Sequence, residues 1–401
     1  MYAPGGRSLS ARSIARSNAR ERQPGQPGRE PGREVSAAAQ ALHQCIHEAL
    51  QGAGGWLPFD RFMALALYQP GLGYYMRSDR QFGALPQSGS DFVTAPELSP
   101  HFGQALARQV AQALDAAQAD QVWEFGAGSG ALAQQILTAL GARVQRYTIV
   151  ELSGPLRALQ QQRLAAFAGQ LEWLDHWPPR SGAAAGLCGV VLGNEVLDAM
   201  PVQLLHFDGQ QWWQRGVAMA ADGGWTWADR PTSLRPPDGV QMPAGTVTEI
   251  HLQAEAFIRS LAAQLTRGAA FFIDYGFPET EYYHPDRVGG TLMCHQAHRA
   301  DDNPLLAVGD KDITAHVNFS ALALAAQDAG MEVLGYTSQA HFLINCGLLD
   351  LLVHASLRER ANAQKLLTEH EMGELFKVLG LARGIALPAL GFAVGDRSHT
   401  L

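Results

Sequence analysis

The hydrophobic positions of this chain change their spacing in a regular way from Gln121 onward. Short apolar runs alternate with segments in which apolar residues recur every three or four positions, a pattern typical of strands alternating with helices. The predicted strands are 121–125, 146–150, 171–174, 187–192, 269–274, 332–337 and 391–394, and the predicted helices are 130–140, 154–166, 252–266 and 320–329. This alternation predicts an α/β fold with a parallel sheet covered by helices on both faces.

Three segments depart from this alternation. Residues 35–118 show helical spacing, and Ser99 followed by Pro100 is typical of a helix start. Residues 202–250 contain apolar runs separated by Asp-Gly and Gly-Gly turns, which predicts an inserted antiparallel β meander. The stretch 275–318 is rich in Gly, His and Asp, and we expect a long functional loop there, because loops of that size rarely persist otherwise. The sequence therefore predicts an N-terminal helical region that covers the site of the following domain, residues 119–401.

Charge is distributed unevenly along the 401 residues. Residues 1–34 hold seven Arg and three Glu, whereas the remainder carries 23 basic and 35 acidic residues, a formal net charge of −12. The first 34 residues contain repeated Pro-Gly pairs and little apolar surface to bury, so we expect a disordered tail. Its spaced arginines are similar to those of an organellar transit peptide, but its glutamates argue against one. The acidic body argues against a nucleic-acid partner and favours a basic protein segment.

Apolar content and cysteine usage indicate the class of protein. Because 47% of the residues are hydrophobic, the chain can bury a sizeable core. No apolar run approaches the roughly 18 residues of a membrane span, so we expect no stable membrane insertion. The four cysteines form no CxxC pair, which argues against a zinc site and against a disulfide framework. These features predict a cytoplasmic location.

The segment after Gln121 carries the strongest chemical signal. A predicted strand leads into Gly126, Gly128 and Gly130, which open a helix, and the next strand ends at Glu151. Glycines let the backbone turn sharply and approach a ligand, and a carboxylate at the tip of the neighbouring strand can accept both hydroxyl hydrogen bonds of a ribose. The pattern therefore predicts an adenosine-containing cofactor at the carboxyl edge of the sheet.

The glycines alone leave the cofactor open, because the spacing of Gly126 and Gly128 also fits a dinucleotide fingerprint and hence a nicotinamide or flavin enzyme. Two features favour S-adenosylmethionine. Glu124 places a carboxylate immediately before the turn, which suits the ammonium group of a methionine better than a pyrophosphate. No Lys or Arg lies between residues 122 and 142, where a pyrophosphate could use a positive charge.

Five further motifs accompany the glycine motif Glu124-Phe-Gly-Ala-Gly-Ser-Gly. They are Trp56-Leu-Pro-Phe-Asp-Arg-Phe-Met, Tyr68-Gln-Pro-Gly-Leu-Gly-Tyr-Tyr, Asp91-Phe-Val-Thr-Ala-Pro-Glu, Gly193-Asn-Glu-Val-Leu-Asp-Ala-Met-Pro-Val and Ile273-Asp-Tyr-Gly-Phe. In this combination the chain resembles the MidA-type methyltransferases, class I S-adenosylmethionine-dependent enzymes whose mitochondrial members assist assembly of respiratory NADH:ubiquinone oxidoreductase. The resemblance covers roughly residues 50–395. It implies a Rossmann-like seven-stranded sheet and methylation of an arginine on an iron–sulfur subunit of that complex.

The candidate cofactor-binding residues are Thr94, Glu97, Glu124, Gly126, Gly128, Gly130, Glu151 and Asp175. Glu151 is predicted to bind the ribose, although it could instead cap the following helix. Asp175, after the third strand, could meet the adenine amino group or remain a solvated loop acid. Thr94 and Glu97 precede a helix and could close over the methionine end of the cofactor, with a capping box as the alternative.

Asn194, Glu195 and Asp198 are the candidate catalytic residues, because they follow the fourth strand, at the sheet edge where the methyl group should lie. If the acceptor is a guanidinium, Glu195 and Asp198, three apart on one helical face, could orient it and receive its proton. The alternative is that Asn194 caps a short helix and Asp198 is solvated. Asp274-Tyr275-Gly276, at the end of the fifth strand, could shape the entrance for the substrate, or Gly276 could equally provide only a turn.

Histidines give weaker signals. The segment that contains Asp312, His316 and Asn318 resembles a family segment that could line the substrate channel, but a lone histidine is more often structural. His295 and His298 are interpreted as a polar loop pair, and no metal site is predicted, since there is no HExxH motif and methyl transfer needs no metal.

The sequence therefore predicts an S-adenosylmethionine-dependent methyltransferase that acts on a protein. Two alternatives stay open at this point. One is a non-catalytic assembly chaperone that retains the cofactor pocket, and the other is a nicotinamide-dependent oxidoreductase. The chaperone would assemble its partner without the candidate catalytic carboxylate, whereas the oxidoreductase would bind NADH and not S-adenosylmethionine.

Overall fold

The computed structural model describes residues 36–77, 93–178, 186–296 and 299–401. The predicted disordered tail, residues 1–34, lies outside the described residues, as do Asp91, Phe92 and His298. The helices are α1 (Ala37–Gly52), α2 (Phe59–Tyr68), α3 (Ala95–Leu98), α4 (Pro100–Ala117), α5 (Ala131–Leu140), α6 (Gly154–Arg163), α7 (Leu252–Gln264), α8 (Glu279–Tyr282), α9 (Phe319–Asp328), α10 (Gln339–Asn345), α11 (Leu348–Leu351) and α12 (Leu357–Leu367). The Ser99 side chain accepts a hydrogen bond from the His101 N–H, as the predicted start of α4 requires.

The strands form three sheets. They are β1 (Leu57–Pro58), β2 (Gln121–Phe125), β3 (Arg146–Val150), β4 (Leu171–Leu174), β5 (Leu187–Asn194), β6 (Gln203–Phe207), β7 (Trp212–Met219), β8 (Trp225–Pro231), β9 (Val247–Ile250), β10 (Leu265–Phe277), β11 (Met293–Gln296), β12 (Arg299–Asp301), β13 (Asp312–Thr314), β14 (Val317–Asn318), β15 (Glu332–Ser338) and β16 (Phe376–Arg383). The central sheet runs in the order β15-β16-β10-β5-β2-β3-β4, with the two-residue strand β14 beside β10. This arrangement confirms the Rossmann-like seven-stranded sheet.

The position and direction of the last strand differ from the sequence prediction. The strand predicted at 391–394 is wrong: Leu390–Phe392 is a short 3-10 turn, and the seventh strand is β16, which pairs antiparallel with both β10 and β15. Phe392 packs on the face of the sheet and does not pair within it. Its ring covers the gaps left by Gly335 and Gly380, where a Cβ would come within 2.5 Å or less of ring atoms. The apolar run therefore serves packing on the sheet and not pairing within it.

The meander predicted at 202–250 is present as β6 to β9, all antiparallel, and β1 adds to it by pairing with β7. Helices α1 and α2 pack on this sheet, and they share one hydrophobic core with it and with β11 and β13. Trp56 donates a hydrogen bond from its indole N–H to the Ala228 carbonyl at 2.8 Å, which ties the N-terminal segment to β8. We call this assembly the second core, because the central sheet has its own.

The stretch 275–318 is not a long loop. It contains the end of β10, helix α8 and a three-stranded antiparallel sheet in the order β12-β11-β13. Glu249, fully buried at the end of the meander, accepts hydrogen bonds from the Thr291 and Leu292 N–H groups and from the Tyr282 hydroxyl. A buried carboxylate with these partners organises the segment, and polar composition alone gave no sign of that. The division of the chain at residue 118 stays a prediction.

Candidate functional site

A cavity of about 590 Å³ lies at the carboxyl ends of β2, β3 and β5. The predicted site residues that line it are Thr94, Glu97, Glu124, Gly126, Gly128, Glu151, Asp175, Asn194 and Glu195. Gly130 and Asp198 lie outside its wall. Parallel strands bring residues that are distant in sequence to one edge of the sheet, which is why these side chains meet.

The three glycines of the turn have different tasks. Gly126, Gly128 and Gly130 have φ angles of 62°, 53° and 82°, in the left-handed region that favours glycine. A Cβ at Gly126 would lie 3.0 Å from a methyl carbon of Val196, and one at Gly130 would contact Leu164 at 3.4 Å. A Cβ at Gly128 would meet no protein atom within 4 Å, so this residue borders open space in the cavity. Gly128 is thus the position where a side chain would take space from a ligand.

Glu124 is buried at the base of the cavity, where the Tyr147 hydroxyl donates a hydrogen bond to it at 2.7 Å. Burial raises the pKa of this carboxyl to about 7, although the Tyr147 hydrogen bond opposes the shift. A cation beside Glu124 would favour the ionised form. The methionine ammonium group of the predicted cofactor is such a cation, so the Glu124 carboxylate fits it.

Both oxygens of the Glu151 carboxylate are held from inside the protein. Oε1 accepts the Ser153 N–H at 2.9 Å, and Oε2 accepts an amide N–H of Gln160 at 3.0 Å. Each oxygen has two lone pairs, so each retains the capacity to accept one ribose hydroxyl. The carboxylate also faces the cavity, and it fits a ribose. Helix capping does not exclude this role, because the Ser153 side chain itself caps α6.

The segment at Thr94 and Glu97 packs across the glycine turn. The Glu97 carboxylate accepts hydrogen bonds from the Ser129 hydroxyl and from the Arg163 guanidinium. Thr94 precedes α3, but its side chain forms no capping hydrogen bond, so the capping-box alternative does not hold for it. Glu97 therefore joins α3 to the glycine turn at Ser129 and to Arg163 of α6, a residue 66 positions away that the sequence did not reveal as its partner.

Asp175 is exposed at the rim of the cavity and pairs with His176. The hydrogen bond from His176 lowers the pKa of this carboxyl. Asp175 thus remains ionised at the cavity edge, where an adenine amino group could reach it. Its role stays a prediction.

Asn194 and Glu195 lie at the end of β5, and both face the cavity. The Asn194 amide donates to Glu195 Oε1 at 2.9 Å. The predicted short helix after them is absent: residues 195–198 form a turn in which Glu195 has a φ of 53°, rare for a residue with a side chain. Glu195 and Asp198 therefore do not share one helical face, and this part of the sequence reasoning is wrong.

Asp274 holds this turn in place. Its Oδ2 accepts the N–H groups of Val196, Leu197 and Asp198 at 3.1, 2.8 and 3.3 Å, and Oδ1 accepts the Tyr275 N–H at 2.9 Å. Burial nevertheless raises the pKa of Asp274 to about 7. Asp274 acts from beneath the turn, and it does not line the cavity.

A group of carboxylates surrounds the turn. Burial, and then the negative charge of Asp274, raise the pKa of Glu195 to about 8. Asp198 is only 5% exposed, and burial together with the charges of Asp274, Asp312 and Glu195 raises its pKa well above the usual range. Burial and mutual repulsion thus disfavour the ionised forms of these carboxyls, and a cation beside them would favour ionisation.

Two tyrosines from the N-terminal region complete this end of the cavity. Tyr68 and Tyr75 line it, with ring centroids 5.6 Å apart and nearly parallel planes. The Tyr68 hydroxyl donates to the Ala199 carbonyl at 2.9 Å, and the Tyr75 hydroxyl donates to Asp312 at 2.7 Å. Sequence reasoning did not select them as site residues, although both belong to a motif that carried the family resemblance.

The predicted channel residues His316 and Asn318 lie elsewhere. His316 stacks on Phe277 with centroids 5.1 Å apart and planes inclined by 3°, and Asn318 caps α9 through its side chain. Neither lines the cavity. Among the residues that the structure describes, no group of three or more His, Cys, Asp or Glu side chains could hold a metal ion. All four cysteines are unpaired.

Comparison with known proteins identifies the family. Residues 105–337 match the family model Methyltransf_28, described as "Putative S-adenosyl-L-methionine-dependent methyltransferase". The chain belongs to this family. The match includes the glycine turn, Glu151 and the Asn194–Asp198 turn, whereas the part of the cavity wall formed by residues 64–97 precedes it. The methyltransferase is S-adenosylmethionine-dependent, which confirms the prediction of the cofactor and decides against the nicotinamide enzyme.

Solved structures agree with this assignment. A COG1565 superfamily member from Burkholderia thailandensis, crystallised with S-adenosyl-homocysteine, is 49% identical over 93% of this chain and 99% of its own, with a TM-score of 0.87. S-adenosyl-homocysteine is what S-adenosylmethionine becomes when it loses its methyl group. A native crystal structure of a COG1565 superfamily protein from the same organism is 48% identical over 93% of this chain and 99% of its own. Its TM-score is 0.83.

Curated relatives have lower identity and a more specific name. The protein arginine methyltransferase NDUFAF7, mitochondrial, of Danio rerio is 29% identical over 80% of this chain and 83% of its own length. The Homo sapiens protein of that name is 28% identical over 80% of this chain and 78% of its own. These names contradict the predicted cytoplasmic location, because the relatives are mitochondrial. The cysteine pattern behind that prediction does not distinguish one reducing compartment from another. No helix within the described ranges has the length and apolar character needed to cross a membrane.

Proposed function

We propose that this methyltransferase methylates the guanidinium group of an arginine in a protein, on an iron–sulfur subunit of respiratory NADH:ubiquinone oxidoreductase, during assembly of that complex. The observation that carries the proposal is the carboxylate of Glu195, which faces the cavity beside a turn held by Asp274. The names of the mitochondrial relatives as protein arginine methyltransferases support the acceptor class. The complex itself enters through the family resemblance.

The electrostatics of the site favour a cationic acceptor. The pKa of Glu195 is raised to about 8 by burial and by Asp274, so its carboxyl is largely protonated at neutral pH when no cation is near. An arriving guanidinium would stabilise the ionised form and could donate two parallel N–H hydrogen bonds to it. Recognition of the acceptor and ionisation of Glu195 are therefore coupled.

Each residue then has a defined task in methyl transfer. The cofactor supplies a methyl group bonded to a positively charged sulfur. Glu195 orients one guanidinium nitrogen for in-line attack and receives the proton that this nitrogen loses on methylation. The Asn194 amide fixes one Glu195 oxygen at 2.9 Å, so that the carboxylate does not rotate away. At the other end of the cavity, Gly128 leaves space for the cofactor and Glu151 receives its ribose.

Mass spectrometry of the respiratory complex tests the acceptor. In a strain that lacks this protein, we expect one arginine of an iron–sulfur subunit to lose its methyl mark. The wild-type gene should restore the mark and Glu195→Gln should not. Glu172→Gln, which changes an exposed carboxylate on β4 outside the cavity, is the matched control and should restore it. A missing mark on another residue type, or no missing mark, would contradict the proposal.

Two further measurements separate the enzyme from a chaperone that keeps an idle cofactor pocket. Calorimetric titration with S-adenosylmethionine should show binding to wild type and none to Gly128→Val, whose side chain would enter the cavity. Equal binding by both proteins would refute the cofactor site. If Glu195→Ala supports complete assembly of the respiratory complex, the protein acts as a chaperone and the catalytic proposal fails.

A further inference from the structure

Gln160 connects two parts of the cofactor site that are distant in sequence. It lies on α6 with 0% of its surface exposed. Its amide nitrogen donates to the Gly128 carbonyl at 2.9 Å and to Glu151 Oε2 at 3.0 Å, and its amide oxygen accepts the Trp173 indole N–H at 3.1 Å. One side chain thus contacts the glycine turn, the ribose-facing carboxylate and β4.

The chemistry of its partners fixes the orientation of this amide. A backbone carbonyl and a carboxylate can only accept, whereas an indole N–H can only donate. A rotation of the Gln160 amide by 180° would place oxygen against two acceptors and nitrogen against a donor. All three hydrogen bonds would then be lost together, so a single arrangement of Gln160 is compatible with its surroundings.

Gln160 restrains both groups directly through its amide nitrogen. Gly128 has a φ of 53° and no side chain that could pack, and a Cβ there would meet no protein atom within 4 Å. The Glu151 carboxylate is pinned at Oε1 by the Ser153 N–H, and the bond from Gln160 to Oε2 stops its rotation about that contact. We propose that Gln160 is a positioning residue that makes the glycine turn and Glu151 act as one unit in cofactor binding.

This inference rests on the ribose-binding role proposed for Glu151, and it is tested by binding alone, with S-adenosyl-homocysteine as the calorimetric probe. In Gln160→Leu, a side chain of similar size can no longer donate. We expect the dissociation constant for S-adenosyl-homocysteine to rise about tenfold or more, as when a hydrogen bond to a charged group is lost. With saturating S-adenosylmethionine, kcat should stay within about threefold of wild type, because the reacting groups are untouched.

Gln160→Glu gives a second, independent readout. It keeps an acceptor for Trp173 but places a carboxyl group against Glu151, so that two carboxylates face each other. We expect a larger loss of affinity at pH 8 than in Gln160→Leu, with part of it recovered at pH 6, where a shared proton removes the repulsion. A purely structural defect would not recover in this way relative to wild type at the same two pH values.

Gln109→Leu is the matched control. Gln109 is also completely buried, donates to Gln112 at 3.0 Å and accepts the Gly391 N–H at 2.8 Å, but it lies on α4 outside the cavity wall. Its loss should lower stability to a similar degree and leave the dissociation constant unchanged. If both variants weaken binding equally, Gln160 has no special role and the proposal is wrong.

A double-mutant cycle with Glu151→Ala decides whether the two residues act as a unit. In the Glu151→Ala background, Gln160→Leu should weaken binding by less than about threefold, because its main partner is gone. Full additivity, or a folded Gln160→Leu protein with wild-type affinity, would overturn the proposal. Wild-type affinity in Glu151→Ala alone would overturn it as well. None of these outcomes depends on which residue the enzyme methylates, so the proposed acceptor is tested separately.

Discussion

Replacement of Asp274 by alanine should separate the stability of the fold from the activity of the site. Asp274 accepts four backbone N–H groups, of which those of Leu197 and Tyr275 are the shortest at 2.8 and 2.9 Å. An unsatisfied buried donor costs about 1–3 kcal/mol, so the loss of these two bonds should destabilise the protein by about 2–6 kcal/mol. A typical unfolding free energy is about 5–15 kcal/mol, which this loss exceeds only at its upper end and for the least stable proteins, so we expect the variant to remain folded at low temperature.

Activity should fall much further than stability suggests. Glu195 has a φ of 53°, a conformation that costs a residue with a side chain about 1–3 kcal/mol and persists only where the surroundings impose it. Without Asp274 the turn can relax, and Glu195 leaves its position at the cavity. We expect kcat to fall at least about a hundredfold, since small misplacements of a reacting group have effects of that size. Methyl transfer to a protein acceptor at 10 °C, with urea unfolding measured in parallel, would check both values.

Asp274→Asn provides the matched variant, because it keeps an oxygen that can accept from the turn but removes the charge. The negative charge of Asp274 helps to raise the pKa of Glu195, so that pKa should be lower in the variant. If Glu195 must be ionised to work, the rate rises with pH through its pKa, and the acidic limb of kcat/KM should move to lower pH. A folded Asp274→Ala protein with wild-type kcat, or an unmoved acidic limb in Asp274→Asn, would refute the reasoning.

Three further predictions follow from the cofactor end of the cavity. The pKa of Glu124 is raised to about 7 in the folded protein, so its contribution to stability is present below about pH 4.5 and is lost as the pH rises through 7. Glu124→Gln should therefore flatten the fall in melting temperature of the cofactor-free protein between pH 5 and 8, and parallel curves would contradict this. Gly126 has a φ of 62°, and a Cβ there would lie 3.0 Å from Val196, so Gly126→Ala should lower the free energy of unfolding by about 1–2 kcal/mol. Urea unfolding measures this, and an unchanged value would show that the turn adapts. Arg163→Met removes the ion pair with Glu97. Because this pair is partly exposed, we expect the free energy of unfolding, measured by thermal unfolding, to fall by less than about 1 kcal/mol. Dissociation of S-adenosyl-homocysteine, measured by stopped flow, should become faster. An unchanged dissociation rate would mean that the pair does not hold α3 over the cofactor turn.

Local sequence patterns predicted the parts of this protein that depend on local chemistry. The glycine turn, Glu151 at the end of β3 and the serine cap of α4 all follow from residue types a few positions apart. The meander followed from its turn residues in the same way. These are the features for which the backbone conformation or a single hydrogen bond imposes a residue type.

Contacts between distant residues could not be predicted in this way. The hydrogen bond from Tyr75 to Asp312 joins positions 237 apart, and nothing in either local pattern indicates the other. The same holds for Arg163 with Glu97 and for the glycines of β15 and β16 that Phe392 covers. The apolar run around Phe392 therefore has the local pattern of a strand, although the seventh strand of the sheet is β16.

The second core has a consequence for how enzymes of this kind can diversify. It is built from three stretches of chain, α1 and α2, the meander, and the small sheet of β11 to β13, and α2 with the short turn after it presents Tyr68 and Tyr75 to the cavity. Glu124, the glycine turn and Glu151, which are predicted to hold the methyl donor, lie on strands of the central sheet or at their ends. Mutations that remodel the Tyr68 and Tyr75 wall of the cavity can thus accumulate in the second core while the hydrophobic core of the central sheet stays unchanged. A lineage built on this plan can acquire new protein targets without rebuilding its chemistry.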